Sequence, residues 1–236
     1  MNSTFIVAKR EFRSNFDSPV GYVVIMLSLM IVGVIVFRDF WTVNRASVGP
    51  LFNYLPWALV LLIVPAVTMR LFAEEKRTGT IELLITMPVR DRDVVMGKYL
   101  ASMGLIAVLL ILTVTYPVTI GRLGHLEKGP IVTGYLGLLL MSSAAISIGL
   151  FFSSLTENQI VAFTTTFVSL FALWVLDFIA GALGKLGDYL AFFSFQRHMN
   201  PFARGLVDLR HVLFFASITV FFLMLTTRSL ESRKWK

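Results

Sequence analysis

The chain has 236 residues, 56% of them hydrophobic and 15% charged, with 21 Lys and Arg against 14 Asp and Glu and no cysteine. The apolar residues fall in blocks with the charges gathered between them, which excludes an ordinary soluble domain, and the missing cysteines exclude disulfides, thiolate nucleophiles and cysteine metal sites. The basic excess flanks the apolar blocks and mixes with acids in the main polar segment, so it is not the footprint of a nucleic-acid-binding protein.

Residues 1–18 come first. Phe5, Ala8, Phe12 and Phe16 share one side of a helical wheel while Arg10 and Arg13 turn away. That pattern predicts a helix lying on the inner leaflet, with a polar tail carrying scattered phenylalanines as the alternative. Ser18 and Pro19 then suit a helix start, where the missing proline N–H is harmless.

Six apolar blocks follow, at about 20–37, 54–69, 99–120, 131–152, 160–181 and 212–227. An 18-residue helix rises ~27 Å, close to the ~30 Å of a hydrocarbon core. The second and sixth blocks are short and need neighbours such as Leu51, Phe52, Leu71 and His211 to complete a crossing. None alternates with a period of two, so helices are expected, not barrel strands, and the fold class is an all-α polytopic membrane protein with six transmembrane helices. The first block lacks a cleavage-site pattern and is expected to remain as a span.

With the amino terminus inside, 13 basic residues flank the cytoplasmic ends and eight the outer ends, which favours both termini inside. The outer loop after span one includes Trp41, Gly49 and Pro50, and Tyr54 and Trp57 suit interfacial depth. Pro65 removes a helix hydrogen bond and predicts a bend or opened turn late in span two. Residues 125–130 form a tight outer connection. In span four, Ser142, Ser143, Ala144, Ala145, Ser147 and Gly149 permit close helix approach.

Asp177, late in span five, is the clearest ionisable group near membrane depth. Two readings of it stand. It lines a passage or serves intramembrane chemistry, or it sits at the outer interface with a local hydrogen bond. Residues 182–211 are too broken for further spans yet strongly aromatic, and predict one or two short outer helices that bury Phe192, Phe193 and Phe195.

The cytoplasmic segment 70–98 carries the most specific pattern. Glu74, Glu75, Lys76 and Arg77 precede Thr78-Gly79-Thr80, a helix break and restart, with Glu82 suited to the new amino-terminal turn. Ile81, Leu83, Leu84 and Ile85 give an apolar patch that Pro88 ends. This segment reads either as a lever that inserts into a soluble partner or as a plain charged connector. Gly97-Lys98 lacks the rest of a phosphate-binding loop, so any ATP hydrolysis must come from another polypeptide. His125, His198 and His211 are scattered, with no HExxH pattern, and the methionines are dispersed. No catalytic, cofactor or metal site is therefore expected in this chain.

Three stretches, AKREFRSNFDSPVGY, FAEEKRTGTIELLITMPVRDRDVVMGKYL and NPFARGLVDLRHVLFFASITVFFLMLTTRSLESRKW, carry a resemblance over nearly the whole length. With the six-span spacing, they resemble permease subunits of the ABC-2 class of ATP-driven transporters. The likeness is strongest to the small six-span group that includes gliding-motility permeases, with nitrous-oxide-reductase accessory permeases more distant. The copper chemistry of the latter does not carry over to a chain without cysteine.

The resemblance implies that residues 70–98 hold a coupling helix docking on a nucleotide-binding subunit. Glu74, Glu75, Gly79, Thr80 and Glu82 take its positions, Pro88 ends it, and Gly97-Lys98 leads into span three. Phe202, Gly205, Asp208 and Leu209 take the family positions in the outer segment. Two ATPase subunits binding ATP and magnesium, a second identical or related permease, an envelope subunit and membrane lipids are the implied partners, in the cytoplasmic membrane of a bacterium or archaeon. The expected function is ATP-coupled export, extraction or force transmission, gliding motility included. A non-transport scaffold of an envelope or motility complex is the alternative, and no cargo is identified.

Overall fold

The computed structural model describes residues 3–17, 19–43, 47–80, 90–124, 126–181 and 185–232, and every regular element among them is helical. Six helices are long and apolar enough to cross a membrane: Gly21–Thr42, Gly49–Arg77, Asp91–Leu123, Lys128–Leu155, Gln159–Ala180 and Leu209–Glu231. We name as inner the end that the sequence assigns to the cytoplasm.

Helix α1 (Ser3–Asp17) precedes α2 (Pro19–Val43), the first span. Span two is composite: α3 (Gly49–Ala58), a π-helical stretch (Leu59–Ile63), α4 (Val64–Thr68), a turn at 69–72 and α5 (Ala73–Arg77). Pro65 has no N–H for the Leu61 carbonyl, and its ring crowds that group. The chain answers with a wide turn in which the Val64 N–H donates to the Leu59 carbonyl, five residues back. An opened turn is what Pro65 predicts. Span three is α6 (Asp91–Thr113) and α7 (Thr115–Leu123), interrupted at Val114 because Pro117 cannot donate to the Thr113 carbonyl. Span four is α8 (Lys128–Leu155) and span five α9 (Gln159–Ala180), whose first turn is capped by Asn158 accepting from the Ile160 N–H at 2.9 Å. Short helices α10 (Lys185–Ala191) and α11 (Phe195–Ala203) lead to α12 (Leu209–Glu231), the sixth span.

Spans two and six reach 29 and 23 residues by taking in the flanking Leu51, Phe52, Leu71 and His211, as the sequence predicts. Two sequence expectations need correction. The outer loop after span one is shorter than predicted, because Gly49 and Pro50 already lie in α3. Trp41 accordingly belongs to α2, not to a loop. The outer helices do form, and Phe195 is fully buried, but Phe192 and Phe193 are 58% and 55% exposed. Helix α11 turns Phe195, His198, Met199 and Phe202 inward, and the turn before it leaves the other two aromatic rings outside.

Helix α8 is the axis of the bundle. It packs against α12, α11, α9, α6 and α4, and its glycines let neighbours approach closely. A methyl on Gly134 would meet Phe52, one on Gly137 would meet Phe202, and one on Gly149 would meet Thr68. Those three contacts run from the outer end to the inner end. Hydroxyls stitch the middle, Tyr99 to Ser143 at 2.6 Å and Ser143 to Thr219 at 2.9 Å, joining spans three, four and six.

Candidate functional site

At the inner end, α1 lies along the first turns of α6, and small residues make that possible: Val7 packs over Gly97 and Phe12 over Gly104. The buried stripe of α6 steps through Val94, Lys98, Ala101 and Leu105, so a lysine occupies a core position. Its side chain is 1% exposed. Such a charge is stable only if paired. Two carboxylates meet it, Glu75 of α5 at 2.8 Å and Glu11 of α1 at 3.2 Å. Arg10 adds a contact of 2.9 Å to Glu11 and one of 3.9 Å to Glu75, and the Phe72 ring faces the ammonium at 5.2 Å. Thr4 donates to Asp93 at 2.9 Å further along the same seam. Burial pushes the Glu11 carboxyl up. The Lys98 charge and the hydrogen bonds from Arg10 and Lys98 outweigh it and hold the group below the usual carboxylate range.

Helix α5 is also tied to α8. The Phe72 and Ala73 amides donate to Ser153 Oγ at 3.1 and 3.2 Å, and the buried Lys76 ammonium donates to the Ser154 carbonyl. Thr78 donates back to the Glu74 carbonyl at 2.9 Å, and Gly79 leaves the helix with φ of 71°, a conformation suited to glycine. Arg77, Thr78, Gly79 and Thr80 are left exposed at the tip.

Between α1, α2, the end of span two and α6 lies a cavity of about 430 Å³. Its polar wall is Arg10, Glu11, Arg70, Glu74, Glu75 and Lys98. Val24, Val67 and Leu105, from the inner ends of spans one to three, supply apolar wall on the other side.

The structure thus brings Glu74 and Glu75 to the cavity and Gly79 and Thr80 to the exposed tip, while Glu82 and Pro88 lie outside the described residues. Phe202, Gly205 and Asp208 gather at the opposite end. Phe202 is fully buried against Gly137, and its carbonyl accepts from Thr133 Oγ1 at 2.7 Å. Gly205 turns the chain beside Pro130 with φ of 90°, and Asp208 caps α12 by accepting from the Arg210 N–H at 2.9 Å. Asp177 is half-buried in the last turn of α9 and belongs to neither group.

Sequence reading missed two features. Glu11 and Lys98 lie 87 positions apart, and the available signal was a charge inside each apolar stripe. The second is a histidine pair in the outer segment: His198 and His211 have their Nδ1 atoms 2.7 Å apart, and His198 stacks on Phe214 at 3.7 Å. The His198 Nε2–H donates to the Phe192 carbonyl at 2.8 Å, which leaves its Nδ1 to accept from His211.

Comparison with curated proteins found no match. A family model described as an ABC-2 family transporter protein matches residues 6–228. That match covers most of α1, five crossings, most of the sixth and the inner-end cluster, so this multi-pass membrane chain belongs to the ABC-2 transporter family, as a permease component of the kind that works with ABC ATPase subunits.

Proposed function

We propose that this chain is the permease half of an ATP-driven export, extraction or force-transmitting machine, with α5 and its exposed tip as the element an ATPase subunit pushes. The observation that carries the reading is Lys98, a nearly inaccessible cation clasped by carboxylates from both α1 and α5. Through it, movement of the tip passes at once to α1 and span three, and through Ser153 and Ser154 to span four. A plain connector has no need of such fixings. In the complex, two ATPase subunits bind magnesium and ATP, and two permeases pair in the membrane. No cargo is specified by this geometry, and a gliding role rests on resemblance alone.

The chain contains no cysteine, so a single one placed at the tip reports its own contacts. Thr80→Cys and Arg77→Cys, co-expressed with the ATPase, should cross-link to it, and the yield should change when ATP is trapped. Glu75→Gln should lower permease-stimulated ATP hydrolysis with insertion unchanged. Absence of cross-links at both positions, from a complex that still hydrolyses ATP, defeats the assignment.

A further inference from the structure

The inner-end cavity has a charge pattern that the Lys98 clasp leaves incomplete. Of its three cations and three carboxylates, Lys98 and Arg10 are matched by Glu11 and Glu75. Arg70 and Glu74 remain, and neither enters an ion pair among the described residues, with each other or with any other group. Three side-chain atoms in the same wall are buried without a hydrogen-bond partner there: Arg70 Nε and Asn15 Nδ2, both donors, and Glu75 Oε2, an acceptor. Buried polar atoms are rarely left so, and three around one cavity point to a bound group that satisfies them.

The orphan set has two signs. A simple anion would meet Arg70 and Asn15 but face Glu74 and Glu75, and a simple cation would suffer the reverse. A zwitterion with a phosphate at one end and an N–H-bearing ammonium at the other satisfies both: phosphate oxygens accept from Arg70 and Asn15, and the ammonium donates to Glu75 and Glu74. The apolar side of the cavity, Val24, Val67 and Leu105, belongs to the inner halves of three spans, which suits a headgroup entering beside its acyl chains. The cavity volume lies within the ~300–1,000 Å³ range of small-molecule sites, and exposed Arg10 and Ser14 mark its open rim.

We propose that this cavity is a binding site for the aminophosphate headgroup of a membrane lipid such as phosphatidylethanolamine, held between Asn15 of α1, Arg70 in the turn of span two and the α5 carboxylates. The bound headgroup bridges α1, the turn at 69–72 and α5. The assignment stands whether or not ATP drives the protein.

The test is lipid selectivity of the full-length protein in detergent, read by native mass spectrometry and thermal shift. Phosphatidylethanolamine should bind and stabilise. Phosphatidylcholine, whose quaternary ammonium has no N–H, and phosphatidylglycerol, which has no ammonium, should each bind about tenfold more weakly, as loss of one charge-assisted bond implies. Glu74→Gln should reduce the preference for phosphatidylethanolamine, whereas Arg70→Gln should weaken all three lipids, whose common phosphate it holds. The wild-type series reads the site even if a variant misfolds. Competition by free glycerophosphoethanolamine assigns the chemistry to a soluble aminophosphate; a requirement for acyl chains assigns it to lipid. Equal binding of the three lipids, or tighter binding of phosphatidylglycerol, overturns the proposal.

Discussion

Replacing Lys98 with methionine tests whether charge holds the inner end together. The ammonium lies 2.8 Å from Glu75 and 3.2 Å from Glu11, whose side chains are 18% and 15% exposed. Methionine keeps the length and the contact with Phe72 but leaves two carboxylates facing one another with Arg10 as their remaining cation. Removing one member of a buried pair costs about 3–5 kcal/mol, and the partial exposure of both acids sets the expectation at the lower edge, about 3 kcal/mol, or ~100-fold in the unfolding equilibrium. The triple variant Glu11→Gln/Glu75→Gln/Lys98→Met should recover most of that loss, because exchanging a whole buried ionic group for neutral side chains of similar shape is close to neutral. Titration of purified protein with sodium dodecyl sulfate, followed by circular dichroism, measures both. A Lys98→Met protein as stable as wild type refutes the reasoning, and so does a triple variant no better than the single one.

The same titration checks packing and backbone. Gly149→Ala drives a methyl into Thr68 Oγ1 between buried helices and should cost about 1–3 kcal/mol. Gly205→Ala, at φ of 90°, should cost about 1 kcal/mol, whereas Gly129→Ala, whose methyl meets nothing within 4 Å, should change little. The outer histidines should make stability depend on pH. Burial lowers the His198 pKa, aided by the charges of His211 and Arg197 and opposed by the Phe192 carbonyl. The unfolded chain therefore takes up the proton first, so the stabilisation is complete above about 6.5 and is lost as pH falls towards the folded value. The thermal midpoint should drop as pH falls below about 6.5, and His198→Gln should flatten that slope; an unchanged slope excludes His198 as its source.

The six crossings and the all-helical class were legible because apolar blocks of spanning length admit few alternatives. Their ends were not. Residues 91–98 are charged and read as connector, yet they form the first turns of α6 because α1 covers one side of them. The apolar face of α1 was legible in Ala8, Phe12 and Phe16, which are covered, but Glu11 is covered beside them and Phe5 is left exposed. A side chain that departs from hydrophobic patterning to meet a partner far along the chain has no local signature. Pro65 and its opened turn were legible, since the cause is one residue and one missing hydrogen. The interruption at Val114 has the same cause in Pro117 and could have been read by the same rule.

Helix α8 runs through the middle of the bundle from the outer end to the inner end, with 67% of its most apolar stretch buried, while those of α2, α9 and α12 are 28%, 22% and 22% buried. Leu138, Met141, Ala145, Ile148 and Leu150 are buried there, so side chains fill the centre of the protomer. Traffic across the bilayer would accordingly follow the flanks of the protomer, along the sparsely covered walls it turns to its surroundings.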